Sequence, residues 1–212
     1  MPVRMRNLAL LLVLVIGTLT VELVRAAPVA GQDEADTQAQ IDNAMSAAPS
    51  TVSANATILA NELDDAGKFV VLQEGSNGWY CQPDESRTPG PDPICFDQTW
   101  LDWMYARGAD NEPNVTVPGF AYMLQGGSES SNTDPYAAEK TEDVDWMTSP
   151  PHIMVLLPGG LEQTSLSSDF DTAGPWIMYE DTPYEHIMMP VAEGMMGEMD
   201  EMGDMAEATP GA

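Results

Sequence analysis

The chain contains two histidines, and each stands two residues before a methionine: His152-Ile153-Met154 and His186-Ile187-Met188. In an extended strand, residues i and i+2 project from one face. If both segments are strands, each presents an imidazole beside a thioether. Were the strands neighbours in register, two imidazoles and two thioethers would share one surface. Such ligands suit Cu(I) and similar soft ions. The plainer reading is a histidine that satisfies a backbone carbonyl and methionines that fill gaps. On either reading the alternate residues, Ile153, Val155 and Leu157 with Ile187, Met189 and Val191, are expected to face the core.

Other residues with chemical potential are fewer. Asp169-Phe170-Asp171-Thr172-Ala173-Gly174 followed by Glu180 approaches a calcium-loop pattern, with Asp169, Asp171 and Glu180 as candidate ligands. Ala173 stands where that pattern needs a ligand, and Trp176-Ile177-Met178 reads as strand rather than the helix an EF-hand requires. Gly126-Gly127 lacks the spacing and following Lys of a phosphate cradle. Gly-x-Ser-x-Gly and His-Glu-x-x-His are absent. Glu185 beside His186 is not a dyad, because adjacent strand residues point oppositely. Cys81 and Cys95 are the only cysteines and are expected to form one disulfide, in keeping with an oxidising compartment. The bridge would constrain a Pro-rich, charged loop and contribute about 3 kcal/mol in the chain-entropy model.

Composition bounds the partners. There are 34 acidic and 7 basic residues in 212, a net charge of −27. Arg4 and Arg6 precede an apolar run from Leu8 to Val21, and Val24-Arg25-Ala26 offers small residues for cleavage before Ala27, so residues 1–26 read as a signal peptide. Removing them takes out Glu22, Arg4, Arg6 and Arg25 and leaves 33 acids against 4 bases. A chain so acidic repels nucleic-acid backbones and anionic lipid. After cleavage no apolar run is long enough to span a membrane.

Residues 27–36 read as a flexible mature N-terminus, and Thr37 to Ala47 as a short helix stopped by Pro49. Residues 56–60, 69–72 and 79–81 read as an antiparallel meander, with turns at Asp64–Gly67 and Glu74–Gly78. Asp97 should cap a helix running to Arg107 and stopped by Gly108, with Trp100, Trp103 and Met104 packed against a sheet. Residues 115–124 suggest a strand bulged at Pro118-Gly119, Asp134-Pro135 a helix start, and 161–167 a short helix. Residues 152–157 and a hairpin over 175–191 supply three strands, expected at the centre of one sheet. Residues 193–212, acidic and Met-rich with Met195, Met196, Met199, Met202 and Met205, read as a disordered tail. The expectation is a single α+β domain over 37–192: a mainly antiparallel sheet, a meander and a C-terminal hairpin, with two or three short helices packed on one side.

The segments Ser-Asn-Gly-Trp-Tyr-Cys-Gln-Pro (76–83), Tyr-Met-Leu-Gln-Gly-Gly (122–127), Ser-Asn-Thr-Asp-Pro-Tyr-Ala (131–137), Pro-His-Ile-Met-Val-Leu-Leu-Pro (151–158) and Thr-Pro-Tyr-Glu-His-Ile-Met-Met-Pro-Val (182–191) occur in this order. Together they resemble a family of exported bacterial proteins of unknown function, over about residues 40–192. The resemblance implies a bacterial source and a periplasmic or secreted location, and it brings no activity with it. Export, acidity, the disulfide and the lack of a catalytic motif favour a non-catalytic binding or envelope-interaction protein. The rivals are a copper-binding protein using His152, Met154, His186 and Met188, and an enzyme with an unrecognised histidine site. A small molecule, a metal ion or an envelope protein would each serve as partner.

Overall fold

The computed structural model describes residues 30–191 apart from positions 86, 138–146 and 173. The expected signal peptide and acidic tail lie outside the described residues. Among the described residues, three helices, α1 (Ala30–Met45), α2 (Ser50–Ser53) and α3 (Gln98–Gly108), accompany ten strands. Strands β1 (Thr57–Leu63), β2 (Phe69–Gln73), β3 (Tyr80–Gln82), β4 (Ile94–Phe96) and β5 (Gly119–Met123) precede the short pair β6 (Gly127–Glu129) and β7 (Met147–Ser149). Strands β8 (His152–Leu156), β9 (Trp176–Met178) and β10 (His186–Pro190) follow. Eight of them form one sheet in the order β2-β1-β3-β4-β5-β8-β10-β9, and β6 pairs with β7 alone. The architecture is the expected single-domain α+β fold with a mostly antiparallel sheet. None of the described helices is long and apolar enough to cross a membrane.

The sheet departs from the expected meander at one place. β3 does not follow β2; it lies on the other side of β1 and runs parallel to it, with Thr57 level with Tyr80 and Ile58 with Cys81. The β2–β3 loop crosses the entrance of β1 to get there. At the crossing, a Cβ on Gly75 would stand 2.2 Å from the Thr57 nitrogen and 2.3 Å from the Ala56 carbonyl carbon. Only glycine lets two backbones approach so closely. The crossing is held by Ser76 N donating to Asn55 O (2.8 Å), Gly75 N to Thr57 Oγ1 (3.1 Å) and Asn77 Nδ2 to Val52 O (2.7 Å).

Cys81 and Cys95 face one another across β3 and β4 and are joined by a disulfide. They belong to a core layer with Ile58 and the α1 residues Ile41 and Ala44. Their strand neighbours Leu59 and Phe96 point the other way, into a larger core with Trp100, Leu101 and Trp103 of α3. Consecutive strand residues face oppositely, so α1 and α3 cover opposite faces rather than one side. α1 also begins at Ala30, well before Thr37, so residues 30–36 are helical.

Several local expectations are corrected. β8, β10 and β9 occupy one end of the sheet, with β9 at its edge, because β5 brings the earlier strands onto the other side of β8. Residues 161–167 form turns, not a helix, and Asp134-Pro135 opens a turn through Tyr136 in which Asp134 Oδ1 accepts Tyr136 N. β5 begins only at Gly119, and Val117 before Pro118 is exposed. Proline's missing N–H and fixed φ explain why pairing starts after it. Strands β4, β6 and β7, three residues each, have too few residues to carry a periodic signal.

α3 is fixed to the sheet by its cap. Asp97 Oδ1 accepts Trp100 N at 3.1 Å, and Oδ2 accepts Phe120 N at 2.8 Å, so one carboxylate closes both the helix start and β5. Asp97→Ala is expected to lose about 1–3 kcal/mol, combining a lost cap with an unpaired strand amide. Asp97→Asn, which keeps one acceptor oxygen, should fall between the two. Urea unfolding followed by tryptophan fluorescence reads the order; equal stability of Asp97→Ala and the parent would refute the clamp.

Candidate functional site

Both histidines lie on one face of the sheet, and that face is the buried one. His152, Met154 and Leu156 of β8 are buried, whereas Ile153, Val155 and Leu157 are only half-buried. On β10, His186 and Met188 are buried while Met189 is 37% exposed. The expected core side is therefore inverted for these strands: Met154 and Met188 lie in the main core under α3. Ile187 and Ile177 join a small outer layer with Leu161. The reason is α3. Its two tryptophans need an apolar partner of large area, and the thioethers of alternate positions supply it.

Register arranges the buried face in rows. Met123 of β5 is level with His152 of β8, which is level with Pro190 of β10. The next row holds Ala121, Met154, Met188 and Trp176. His186 pairs with Met178 of β9 in the row beyond. His186 is thus four positions along β10 from the partner of His152, about 13 Å at the ordinary strand rise. The strands are neighbours, as the soft-metal reading requires, but the two imidazoles occupy different rows with the Met154–Met188 pair between them. They remain close enough for a charge on His152 to disfavour one on His186.

Each imidazole is anchored by its own strand entry. His152 Nδ1 lies 2.7 Å from Pro150 O, and His186 Nδ1 lies 3.0 Å from Tyr184 O. A carbonyl can only accept, so each Nδ1 carries the proton and each Nε2 keeps its lone pair. His152 Nε2 is buried and has no hydrogen-bond partner. His186 is enclosed by Trp100, Trp103 and Tyr179, whose ring centroids stand 5.2, 5.7 and 5.4 Å away in edge-on contacts. Burial holds both imidazoles at a pKa of about 4, so they are neutral at ordinary pH.

Between α3 and this face lies a chamber of about 180 Å³. Five methionines line it, Met104, Met123, Met154, Met178 and Met188, with both histidines and both α3 tryptophans. The indole N–H groups of Trp100 and Trp103 are buried without acceptors. The chamber adjoins an outer cavity of about 540 Å³ through Glu85, Asp92, Met104, Arg107 and Glu129, which line both.

The junction carries groups that sequence reading missed. Burial pushes the Glu129 carboxyl up, partly offset by the Arg107 charge and a hydrogen bond from Tyr179. Arg107 donates from Nε to Pro135 O at 2.9 Å and lies over the rings of Trp103 and Tyr179, each 5.8 Å away. Tyr179 adopts φ 59°, a region a bulky residue enters only when its surroundings enforce it. Tyr179 N donates to Asn132 O at 2.7 Å, and Thr182 Oγ1 donates to Tyr179 O at 2.6 Å. Asp92 is raised to about 7, by burial and then by its hydrogen bond with Asp84. Met123 and Met178 were also missed, although each lies in a segment read as a strand; Glu129 and Arg107 meet only through the fold.

The calcium candidates are not assembled. Asp169, Asp171 and Glu180 are exposed; Asp169 Oδ1 accepts Asp171 N at 3.1 Å, and Glu180 Oε2 accepts Ser168 Oγ at 2.5 Å. Among the described residues, no group of three His, Cys, Asp or Glu side chains could hold an ion.

Acid should destabilise the fold through the histidines. Between about pH 6.5 and about 4 the unfolded chain protonates them and the folded chain does not. Each imidazole then removes stability as pH falls, by up to about 1.4 kcal/mol per pH unit. Asp92 and Glu129, both raised, work in the opposite sense: their contribution is present at low pH and fades as pH rises. Asp92→Asn should therefore lose stability more steeply than the parent as pH falls from about 6.5 to about 4.5. Nitrogen NMR should find both rings as neutral Nδ1–H tautomers at about pH 5.5. Urea titrations with equal slopes, or an imidazolium signal at that pH, would contradict the burial.

No protein-family model, curated protein or solved structure matches the chain.

Proposed function

We propose that this chain is an exported, non-catalytic binding protein that takes a small ligand into the chamber between α3 and the His/Met face. The observation that carries the reading is His152 Nε2, a buried lone pair with no partner on the wall of a cavity. A buried acceptor left unpaired costs about 1–3 kcal/mol, which a ligand on that atom relieves. The unpaired indole N–H groups of Trp100 and Trp103 add two donors to the same walls. Export rests on the N-terminal pattern of residues 1–26 and on the family resemblance. The disulfide between Cys81 and Cys95 agrees with an oxidising compartment.

The histidines favour binding over catalysis. A general base works best with a pKa near the operating pH, and both imidazoles are held at about 4. Each Nδ1 is bound to a main-chain carbonyl, whereas a catalytic imidazole is commonly oriented by a carboxylate. A catalytic reading draws on one specific observation, the raised Glu129 carboxyl hydrogen-bonded to strained Tyr179 at the chamber's edge.

The chamber is close in size to engineered cavities of about 150 Å³ that bind benzene. Benzene and phenol at saturating concentration should each raise the melting temperature by a few degrees and change the emission of Trp100 and Trp103. Met178→Phe, which adds bulk to the wall, should reduce both responses. No response from either probe would overturn the binding reading. Turnover in a broad hydrolase screen, abolished by Glu129→Gln, would replace it with the catalytic one.

A further inference from the structure

We propose that the chamber is a site for one Cu(I) ion, with His152 Nε2 as the nitrogen ligand and thioethers of Met123, Met154 and Met188 completing the shell. This rests on the binding reading above and names its ligand.

The donor set is selective. A buried imidazole with its Nδ1–H tied to Pro150 O presents an oriented lone pair at Nε2, the arrangement that outer hydrogen bonds give to metal-binding histidines. Met123 is its level partner on β5, Met154 is two residues along its own strand, and Met188 is the level partner of Met154. Gly127 shows how closely the first pair converges. A Cβ there would stand 3.1 Å from Met123 Cε and 3.4 Å from His152 Cε1. The thioether arm and the imidazole edge flank one point, which a side chain would fill.

Charge and hardness point to the same ion class. Divalent ions such as zinc or calcium call for carboxylates, thiolates or several imidazoles. No three such groups gather among the described residues, and the two cysteines are joined to each other. Thioether sulfur with one imidazole suits a soft monovalent ion, whose single charge costs less to desolvate than a double one. Glu85, Asp92 and Glu129 line the junction of inner and outer cavities against the single cation Arg107, and the whole chain carries −27. Such a field draws cations towards the opening. His186 falls outside the shell, since it lies a row beyond the methionine pair and packs among aromatic rings.

The test uses the exported full chain with its disulfide intact, titrated without oxygen with Cu(I) supplied as its acetonitrile complex. Native mass spectrometry should find one ion retained against a moderate Cu(I) chelator. Copper X-ray absorption should report a shell of mixed nitrogen and sulfur. Met123→Leu conserves volume and should fold, yet weaken retention at least tenfold. Met189→Leu, exposed on the other face, should leave retention unchanged. Retention undiminished in Met123→Leu, or a shell of sulfur alone, would assign the ion to other methionines and overturn the proposal. If no ion is retained while benzene and phenol still stabilise the protein, the metal inference falls and the binding reading stands. If neither probes nor ion bind, both fall.

Discussion

The packing of Trp100 and Trp103 onto the thioether side of β8 and β10 is the contact on which the rest depends. It decides which face of the sheet is interior, and so buries two imidazoles that composition alone would leave at the surface. Each tryptophan is a large apolar body with one polar atom, and here both polar atoms are buried without a partner. Close packing against unbranched methionines is adaptable, because Met fills irregular space. The layer therefore closes around the rings but leaves a chamber.

That burial determines the chemistry of the histidines. Water would stabilise an imidazolium; the apolar chamber does not, so both rings remain neutral. The carbonyls of Pro150 and Tyr184 then select the tautomer. The same device occurs twice, two residues upstream each time, and it leaves an unprotonated Nε2 on both rings. Only His152 Nε2 is buried and orphaned; His186 serves as one ring of an aromatic enclosure. Identical tripeptides thus acquire different roles from their rows in the sheet.

Positioning comes from devices at some distance. Asp97 joins the α3 start to β5, the disulfide joins β3 to β4 on the opposite face, and Gly75 permits the backbone crossing that inserts β3 beside β1. Of these, Asp97 ties α3 to the sheet, while the disulfide and the Gly75 crossing fix the order of the strands beside the α1 layer. The acidic junction around Glu129 is built from other parts of the chain: β6, α3 and the turn after β9. Tyr179 holds its left-handed backbone there because Asn132 and Thr182 bind it on both sides.

The amino-acid order by itself determined the local features. Two cysteines without competitors had one partner each, Asp97 and Gly108 bracketed a helix, and period-two alternation put His152 with Met154 and His186 with Met188. Those depend on covalent geometry and on neighbours a few residues away. Which face is inside is a different kind of question. Both faces of β8 and β10 are apolar enough to be buried, and alternation separates them without ranking them. The ranking came from α3, some fifty residues upstream of β8, because its tryptophans could cover only one side. The parallel placement of β3, the edge position of β9 and the meeting of Glu129, Arg107 and Tyr179 were likewise decided by tertiary structure. Each depends on contacts between distant segments, and a pattern confined to one segment does not record them.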